Sequence, residues 1–219
     1  MVTYEALRQN AAVNTYITRA DESLAALGFT EHSFPHVCGV AETAEYILRS
    51  IGCDERRIEL AKIAAYLHDI GNLINRADHS QSGALMAFRI LDRMDMEAED
   101  LATIVTAIGN HDEGVGVPVN EVAAALILAD KCDVRRNRVR NRNMSTFDIH
   151  DRVNYSVEQY RLLVQPEDKI ARLELSIDTQ YSSVMDFFEI FMKRMMLCRR
   201  AAERLGLTFQ LTINGQQLI

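Results

Sequence analysis

The chain has 219 residues, of which 48% are hydrophobic and 25% are charged, and its formal net charge is -7. This length and hydrophobic content can supply the core of one large domain, or of a domain with an appendage. The negative charge argues against general nucleic-acid binding, because such proteins need a net basic face to release counterions from phosphates.

The sequence contains no long apolar segment of the kind that crosses a membrane. The longest uninterrupted apolar run covers residues 122–129, whereas a membrane-spanning helix needs about 20 residues. Glu5, Arg8 and Asn10 stand where a signal peptide needs its apolar stretch. The four cysteines are far apart without paired spacing, which favours reduced thiols. We therefore expect a cytoplasmic protein that does not bind membranes.

Residues 1–147 have the apolar periodicity of helices. Pro35 is typical of a first helical turn and predicts a helix that starts at His36 and runs to Gly52. Asp54 is a predicted cap for the next helix, which carries His68 on its last turn. Three further helices are predicted over residues 78–94, 97–110 and 120–130, the last capped by Asn120. The first two thirds of the chain are thus predicted to form a helical bundle.

The pattern changes after about residue 148. Alternation with period two, which predicts strands, appears in residues 153–157, 172–177 and 209–213. Pro166 marks one turn and Asn214-Gly215 is a strong hairpin signal. Residues 182–205 have the pattern of an amphipathic helix. We therefore predict a mainly α protein, with a helical domain over residues 1–147 and a small antiparallel α+β appendage over residues 148–219 packed on it.

The dipeptide His68-Asp69 is the centre of a candidate metal site. It closes the apolar run of residues 63–67, and other histidines and an aspartate flank it along the chain. Four imidazoles and two carboxylates suit two transition-metal ions, since each ion takes about three protein ligands and leaves room for water or substrate. The candidate metal ligands are His36, His68, Asp69, His79, His111 and Asp130.

This order of histidines and aspartates resembles the HD-domain metal-dependent phosphohydrolase superfamily, in its two-metal branch. The resemblance covers roughly residues 30–135 and includes the local contexts of the ligands. These contexts are Pro35-His36, Leu67-His68-Asp69-Ile70-Gly71, Asn110-His111-Asp112-Glu113 and Leu128-Ala129-Asp130-Lys131. The resemblance implies that the helical part of the chain is an HD-domain bundle with metal-dependent phosphohydrolase activity.

Two positions depart from patterns seen among such proteins. Residues 114–118 lack the Gly-Tyr-Pro signature of the cyclic dinucleotide phosphodiesterases, so that substrate is not implied. Many hydrolytic relatives have a lysine three residues after the aspartate of the His-Asp pair, where this chain has Asn72.

The resemblance also implies roles for the ligands. Asp69 would bridge two ions, and the other ligands would divide into His36, His68 and Asp130 for one ion and His79 and His111 for the other. Two such ions lower the pKa of a shared water, so that a hydroxide nucleophile exists near neutral pH. The expected cofactors are two divalent or mixed-valence transition-metal ions, Fe or Mn first, with Co, Ni and Zn also compatible.

Asp69 and Lys131 are the candidate catalytic residues. Lys131 would bind phosphate or protonate the leaving oxygen, and a salt bridge to Asp130 or Asp133 is the alternative role. Carboxylates that hydrogen-bond the other ring nitrogen commonly orient ligating imidazoles. Asp112, Glu113 and Asp78 are the nearest candidates in sequence. His32 is interpreted as a loop residue, and the second dipeptide, His150-Asp151, is interpreted as structural.

A run of arginines follows Lys131, at positions 135, 136, 138, 140 and 142. If the helix continues past Lys131, Arg135, Arg138 and Arg142 share one face. Guanidinium groups suit bidentate phosphate binding, and the alternative is a solvated face paired with Asp133. The candidate substrate-binding residues are Asn72, Lys131, Arg135 and Arg138.

Three functions are compatible with these residues. The first is hydrolysis of a phosphomonoester or phosphodiester, with nucleotides among the candidate substrates, by a hydroxide that two metal ions activate. The second is the reaction of a mixed-valent di-iron oxygenase, which uses the same ligands. The third is a regulatory module that binds a nucleotide without turning it over. The expected partner is a small phosphorylated molecule, and homodimerisation through an exposed sheet edge is an open expectation.

Overall fold

A computed structural model describes residues 2–219. The helices are α1 (Tyr4–Arg8), α2 (Ala11–Ala26), α3 (Phe34–Ser50), α4 (Glu55–Leu67), α5 (His79–Asp92), α6 (Ala98–Gly109), α7 (Glu121–Lys131), α8 (Ile149–Ser156) and α9 (Val184–Arg204). The strands are β1 (Val157–Gln165), β2 (Ile170–Ile177), β3 (Thr208–Ile213) and β4 (Gln216–Gln217). Short 3₁₀ turns cover Ile70–Leu73, Arg136–Arg138 and Met144–Thr146. The predicted mainly α fold, with strands confined to the C-terminal part, is confirmed.

Local capping signals fix the ends of several helices. Pro35 lies in the first turn of α3. The Asp54 carboxylate accepts a hydrogen bond from the Arg57 amide at 2.9 Å and caps α4. The Asn120 side chain caps α7 by accepting from the Ala123 amide at 2.7 Å. These caps satisfy amides that the helix itself leaves without partners.

Helix α7 is the central element of the core. Every residue from Val122 to Lys131 is buried, and the helix packs against α3, α4, α6 and α9. A helix that is apolar on all sides has to be covered on all sides. Its last turn therefore carries the polar residues Asp130 and Lys131 into the interior of the protein.

Residues 149–156 form helix α8, so the predicted strand over residues 153–157 is wrong except at its last residue. The Asp148 carboxylate accepts a hydrogen bond from the Asp151 amide at 2.8 Å and starts the helix. An alternation of three residues is too short to outweigh such a cap. Val157 then begins β1.

Arg135, Arg138 and Arg142 would share a helical face only if α7 continued past Lys131, and α7 ends there. The chain turns directly afterwards. The Arg138 guanidinium donates to the Asp133 carbonyl at 2.8 Å, which ties the two ends of this turn together.

The four strands form one mixed sheet in the order β1-β2-β3-β4. The expected antiparallel pairing holds for β1 with β2 and for β3 with β4, where Asn214 and Gly215 adopt the positive φ of a tight hairpin turn. The central pair, β2 with β3, is parallel. The reason is the connection between them, since α9 returns the chain to the starting end of the sheet, as parallel pairing requires.

Helix α9 links the C-terminal part to the helical bundle. It packs against β3 and against α7, and one face of β2 is buried at every second residue. The division at residues 147 and 148 stays a prediction. Within residues 2–219, no helix combines the length and the apolar character that a bilayer crossing needs.

Candidate metal centre and its cavity

The ends of five helices bring the six predicted ligands together. The ligands lie in the first turn of α3, in the two residues after α4, at the start of α5, just after α6 and in the last turn of α7. All six are buried, with exposed fractions of 8% or less: His36, His68, Asp69, His79, His111 and Asp130.

Asp69 lies between two pairs of histidines. Its Oδ2 is 3.5 Å from His36 Nε2 and 3.2 Å from His68 Nε2. Its Oδ1 is 3.5 Å from His79 Nε2 and 4.0 Å from His111 Nε2. One carboxylate oxygen therefore faces each pair, which is the arrangement that a bridging ligand needs.

Asp130 stands on only one side of this arrangement. Its Oδ1 is 3.4 Å from His36 Nε2 and 3.7 Å from His68 Nε2. Bonds of about 2.0–2.1 Å around a tetrahedral ion put donor atoms roughly 3.3 Å apart, close to these separations. The potential ligand atoms lie within 4.8 Å of one another in two sets: His36, His68 and Asp130, and His68, Asp69 and His111.

Backbone carbonyls orient three of the four imidazoles. In each case Nδ1 donates to the carbonyl three residues earlier: His68 to Ala65 at 2.7 Å, His79 to Arg76 at 3.1 Å and His111 to Ile108 at 2.6 Å. A carbonyl oxygen only accepts, so Nδ1 holds the hydrogen in these bonds. In the neutral ring Nε2 then has a free lone pair, and it is Nε2 that points to the centre.

A carboxylate orients the fourth imidazole. Asp133 Oδ2 lies 2.7 Å from His36 Nδ1, and Asp133 was assigned only to ion pairing from the sequence. The sequence-based candidates for such a role were Asp112, Glu113 and Asp78. None of them contacts a histidine Nδ1 among the hydrogen bonds of residues 2–219, although Asp112 Oδ1 lies 4.0 Å from His79 Nε2.

The residues present fit a metal cofactor. In the described part of the chain, the buried Nε2 atoms of His36 and His68 have no hydrogen-bond partner. Burial and the Arg138 charge lower the pKa of His36, but the carboxylates of Asp130, Asp133 and Asp69 outweigh them and raise it to about 9. This concentration of carboxylates around buried nitrogen donors favours a bound cation.

We expect Asp133→Asn to weaken metal binding by about 10- to 100-fold, because the Asp133 carboxylate that contacts His36 Nδ1 fixes the orientation and basicity of this ring. Chelator competition would measure the affinity. Asp100→Asn is a matched control, since Asp100 pairs with Arg56 in a partly buried ion pair away from the centre. If Asp133→Asn has the metal affinity of the parent, the role of Asp133 is only to pair with Arg135 and Arg138.

The centre opens into a cavity of about 440 Å³, whose wall includes Asp69, His79 and Asp130. Most of the remaining wall comes from the loop before α3, the segment before α5, and helices α8 and α9. Four further residues also line it: Glu113, Lys131, Arg138 and Asp148. Sites for small molecules commonly have volumes of this size.

Lys131 is buried at this cavity between two carboxylates. Its Nζ is 2.7 Å from Asp130 Oδ2 and 2.8 Å from Glu113 Oε2. Burial lowers the pKa of Lys131, but these two carboxylates outweigh it and raise the pKa above its ordinary value. The side chain is therefore a protonated ammonium whose charge is largely compensated.

The two arginines chosen from the sequence lie in different places. Arg138 lines the cavity, and its Nε donates to the Glu31 carbonyl at 2.9 Å. Arg135 is not among the cavity-lining residues. Its Nε is 2.6 Å from Asp133 Oδ1, as in the alternative pairing considered for the run.

Asn72 is buried behind Asp69 and is not part of the cavity wall. Its Nδ2 donates to the Asp69 carbonyl at 2.9 Å and to Asp69 Oδ1 at 3.0 Å. Arg76 Nη1 donates to Asn72 Oδ1 at 3.3 Å. Asn72 thus holds the carboxylate that faces both histidine pairs.

Sequence reasoning missed two arginines at the cavity, Arg76 and Arg194. Each guanidinium lies over an aromatic ring: Arg76 is 5.6 Å from the Phe29 centroid and Arg194 is 4.6 Å from the Phe191 centroid. The spacing of Arg76 four residues after Asn72 was a usable signal. No local signal identifies Arg194, because its position depends on how α9 packs on α7.

Three residues to which the sequence assigns no role in the site also line the cavity: His32, His150 and Asp151. His32 Nδ1 lies 2.6 Å from the Thr30 carbonyl, so this ring has a structural contact as well as a place in the wall.

Residues 34–135 match the family model of the HD domain. The chain is similar to the uncharacterized protein MJ1020 of Methanocaldococcus jannaschii, with 25% identity over 81% of this chain and 76% of that protein. It is also similar to the crystal structure of a predicted HD superfamily hydrolase from an uncultured Thermotogales bacterium. That similarity has 26% identity and a TM-score of 0.45, and covers 57% of this chain and 67% of the other. The family match includes all six candidate ligands.

Proposed function

We propose that this protein, whose residues 34–135 match the family model of the HD domain, is a metal-dependent hydrolase, and more specifically a phosphohydrolase of small phosphomonoesters or phosphodiesters. One observation carries the proposal. The two oxygens of Asp69 face separate histidine pairs, at 3.2–3.5 Å on one side and 3.5–4.0 Å on the other.

In this proposal Asp69 would serve as a ligand to two ions. The remaining ligands are His36, His68 and Asp130 on one side and His79 and His111 on the other. When bound, such ions would supply an activated water near neutral pH and positive charge beside the phosphoryl oxygens. The protein holds the ligands through the hydrogen bonds at each histidine Nδ1 and through Asn72 at Asp69.

Arg76 supplies positive charge close to the position where many hydrolytic relatives have a lysine. Its Nη1 is 3.9 Å from Asp69 Oδ1, and 27% of its side chain is exposed. Its remaining donors can therefore bind a phosphoryl oxygen at the centre. In this proposal Lys131, which is protonated beside Asp130, would donate a proton to the leaving oxygen or bind phosphate.

Arginine donors in the cavity wall favour an anionic substrate over the uncharged substrate of a di-iron oxygenase, although the net charge of the wall does not, since five carboxylates line it as well. Four cationic side chains line it: Arg76, Lys131, Arg138 and Arg194. Acidic residues are also present, and Glu113 compensates part of the Lys131 charge. The arginine N–H groups that have no partner in the protein can donate hydrogen bonds to phosphate oxygens.

Metal analysis of anaerobically purified protein tests the proposal first, with two ions per chain expected. A phosphate-release screen over nucleotides and sugar phosphates should then give turnover that a chelator abolishes. Oxygen uptake by the di-iron protein without phosphate release would contradict the proposal in favour of an oxygenase. Nucleotide binding in chelator, without turnover by the loaded protein, would contradict it in favour of a regulatory module.

We expect Arg76→Gln to raise KM for a phosphorylated substrate by about 10- to 100-fold, because it removes a charge-assisted hydrogen bond. Metal content should be unchanged. Arg57→Gln is the control, since Arg57 is exposed and pairs with Asp54 outside the site. A parental KM in Arg76→Gln would mean that phosphate is bound by other groups.

A further inference from the structure

We propose that Arg194 on α9 binds the phosphoryl group of the substrate, so that the C-terminal part of the chain completes the active site. This inference rests on the proposed phosphohydrolase function. It extends the site beyond residues 34–135, which contain all the candidate metal ligands.

Helix α9 reaches the cavity through one face. Ile190, Phe191 and Arg194 line the same cavity as Asp69 and Asp130. The helix packs along α7, whose last turn carries Asp130. The position of Arg194 is thus set by the same helix that presents a candidate metal ligand.

Arg194 has donor capacity that the protein does not use. Its Nε is buried and has no hydrogen-bond partner among residues 2–219. Its Nη2 lies 3.5 Å from Glu113 Oε1, and 23% of the side chain is exposed. A buried donor without a partner costs free energy unless an acceptor arrives. The exposed part of the guanidinium lines the cavity, and this is where a phosphate oxygen would accept a hydrogen bond.

The guanidinium is held in place before any ligand binds. It lies 4.6 Å from the Phe191 ring centroid, a distance typical of a cation–π contact. Glu113 contacts both Arg194, at 3.5 Å, and Lys131, at 2.8 Å. Arg194 is therefore linked through Glu113 and Lys131 to Asp130 at the metal centre.

Two other cationic side chains at the cavity, Lys131 and Arg138, have hydrogen-bond donors that the protein already uses. Lys131 is bound by Asp130 and Glu113. Arg138 donates to the carbonyls of Glu31 and Asp133. The Arg194 guanidinium is a planar fork of donors, and its Nε has no hydrogen-bond partner among residues 2–219. Such a fork suits bidentate recognition of a phosphoryl group.

Binding of inorganic phosphate to the metal-loaded full chain tests this inference without requiring turnover. Calorimetry and the phosphate-dependent rise in Tm would both measure it, since a ligand of the folded state raises Tm. We expect Arg194→Gln to weaken phosphate affinity by about 10- to 100-fold, with unchanged metal content. Arg194→Lys should recover part of the affinity, because it keeps the charge but not the fork.

Arg199→Gln is the matched control, because Arg199 is on the same helix and pairs with Glu203 at the surface. If Arg194→Gln lowers the Tm of the ligand-free protein, Arg194→Lys provides the affinity comparison in a folded variant. Parental phosphate affinity in both Arg194 variants would overturn the inference, and so would absence of phosphate binding by the loaded wild type. A different result would contradict the proposed function: the loaded protein would bind phosphate but hydrolyse no phosphate ester.

Discussion

Replacing Asp69 with alanine is expected to remove both metal ions at once and to lower kcat/KM for a phosphoester by on the order of 10³-fold or more. The reason is that its two oxygens face different histidine pairs, so that neither ion would keep its full ligand set. Metal content per chain, measured after extensive dialysis, gives the first result, and the rate of phosphate release gives the second.

Two comparison variants separate bridging from general damage to the site. Asp130→Ala should lose one ion preferentially, because Asp130 Oδ1 faces only His36 and His68. Asp100→Ala removes a partly buried carboxylate that pairs with Arg56 elsewhere, and it should keep both ions. Two tightly bound ions in Asp69→Ala would contradict the bridging role.

Gly71→Ala is expected to lower the free energy of unfolding by at least about 3 kcal/mol, at the upper end of overpacking effects. A Cβ at this position would lie 2.0 Å from the His79 carbonyl oxygen and 2.5 Å from the Gly83 amide nitrogen. Both are backbone atoms of α5, and a backbone cannot rotate away as a side chain does. The turn after Asp69 and the helix that starts at His79 would have to move apart, which should also weaken metal binding.

Denaturant unfolding of the metal-free protein measures this effect without a contribution from metal affinity. Gly39→Ala is the matched control, because a Cβ there meets no atom within 4 Å and Gly39 lies inside α3. Alanine in a helix interior should stabilise by about 0.5–1 kcal/mol relative to glycine. Equal stability changes in the two variants would contradict the close approach of the Gly71 turn to α5.

The sequence by itself determined where α4 and α7 begin and which residues are candidate ligands. Asp54 and Asn120 cap helices through amides three residues away, so their effect is readable from neighbouring residues alone. The same holds for the Asn214-Gly215 turn. The resemblance of the His and Asp contexts to HD domains supplied the candidate ligands, because those contexts are short segments whose residue types ligand chemistry restricts.

Local patterns were insufficient where two signals competed. The alternation at residues 153–157 suggested a strand, but the Asp148 cap started α8 instead. The arginine spacing suggested a helical face, but α7 ended at Lys131. The parallel pairing of β2 with β3 depended on where α9 returned the chain, which no residue in either strand encodes.

The tertiary structure decided how the candidate site is arranged. His36 and Asp133 are 97 residues apart and meet at 2.7 Å, and each oxygen of Asp69 faces histidines from different helices. Arg194 reaches the cavity only because α9 packs on α7. Spacing along the chain predicts contacts within a turn of a helix, whereas contacts between helices depend on how their buried faces pack.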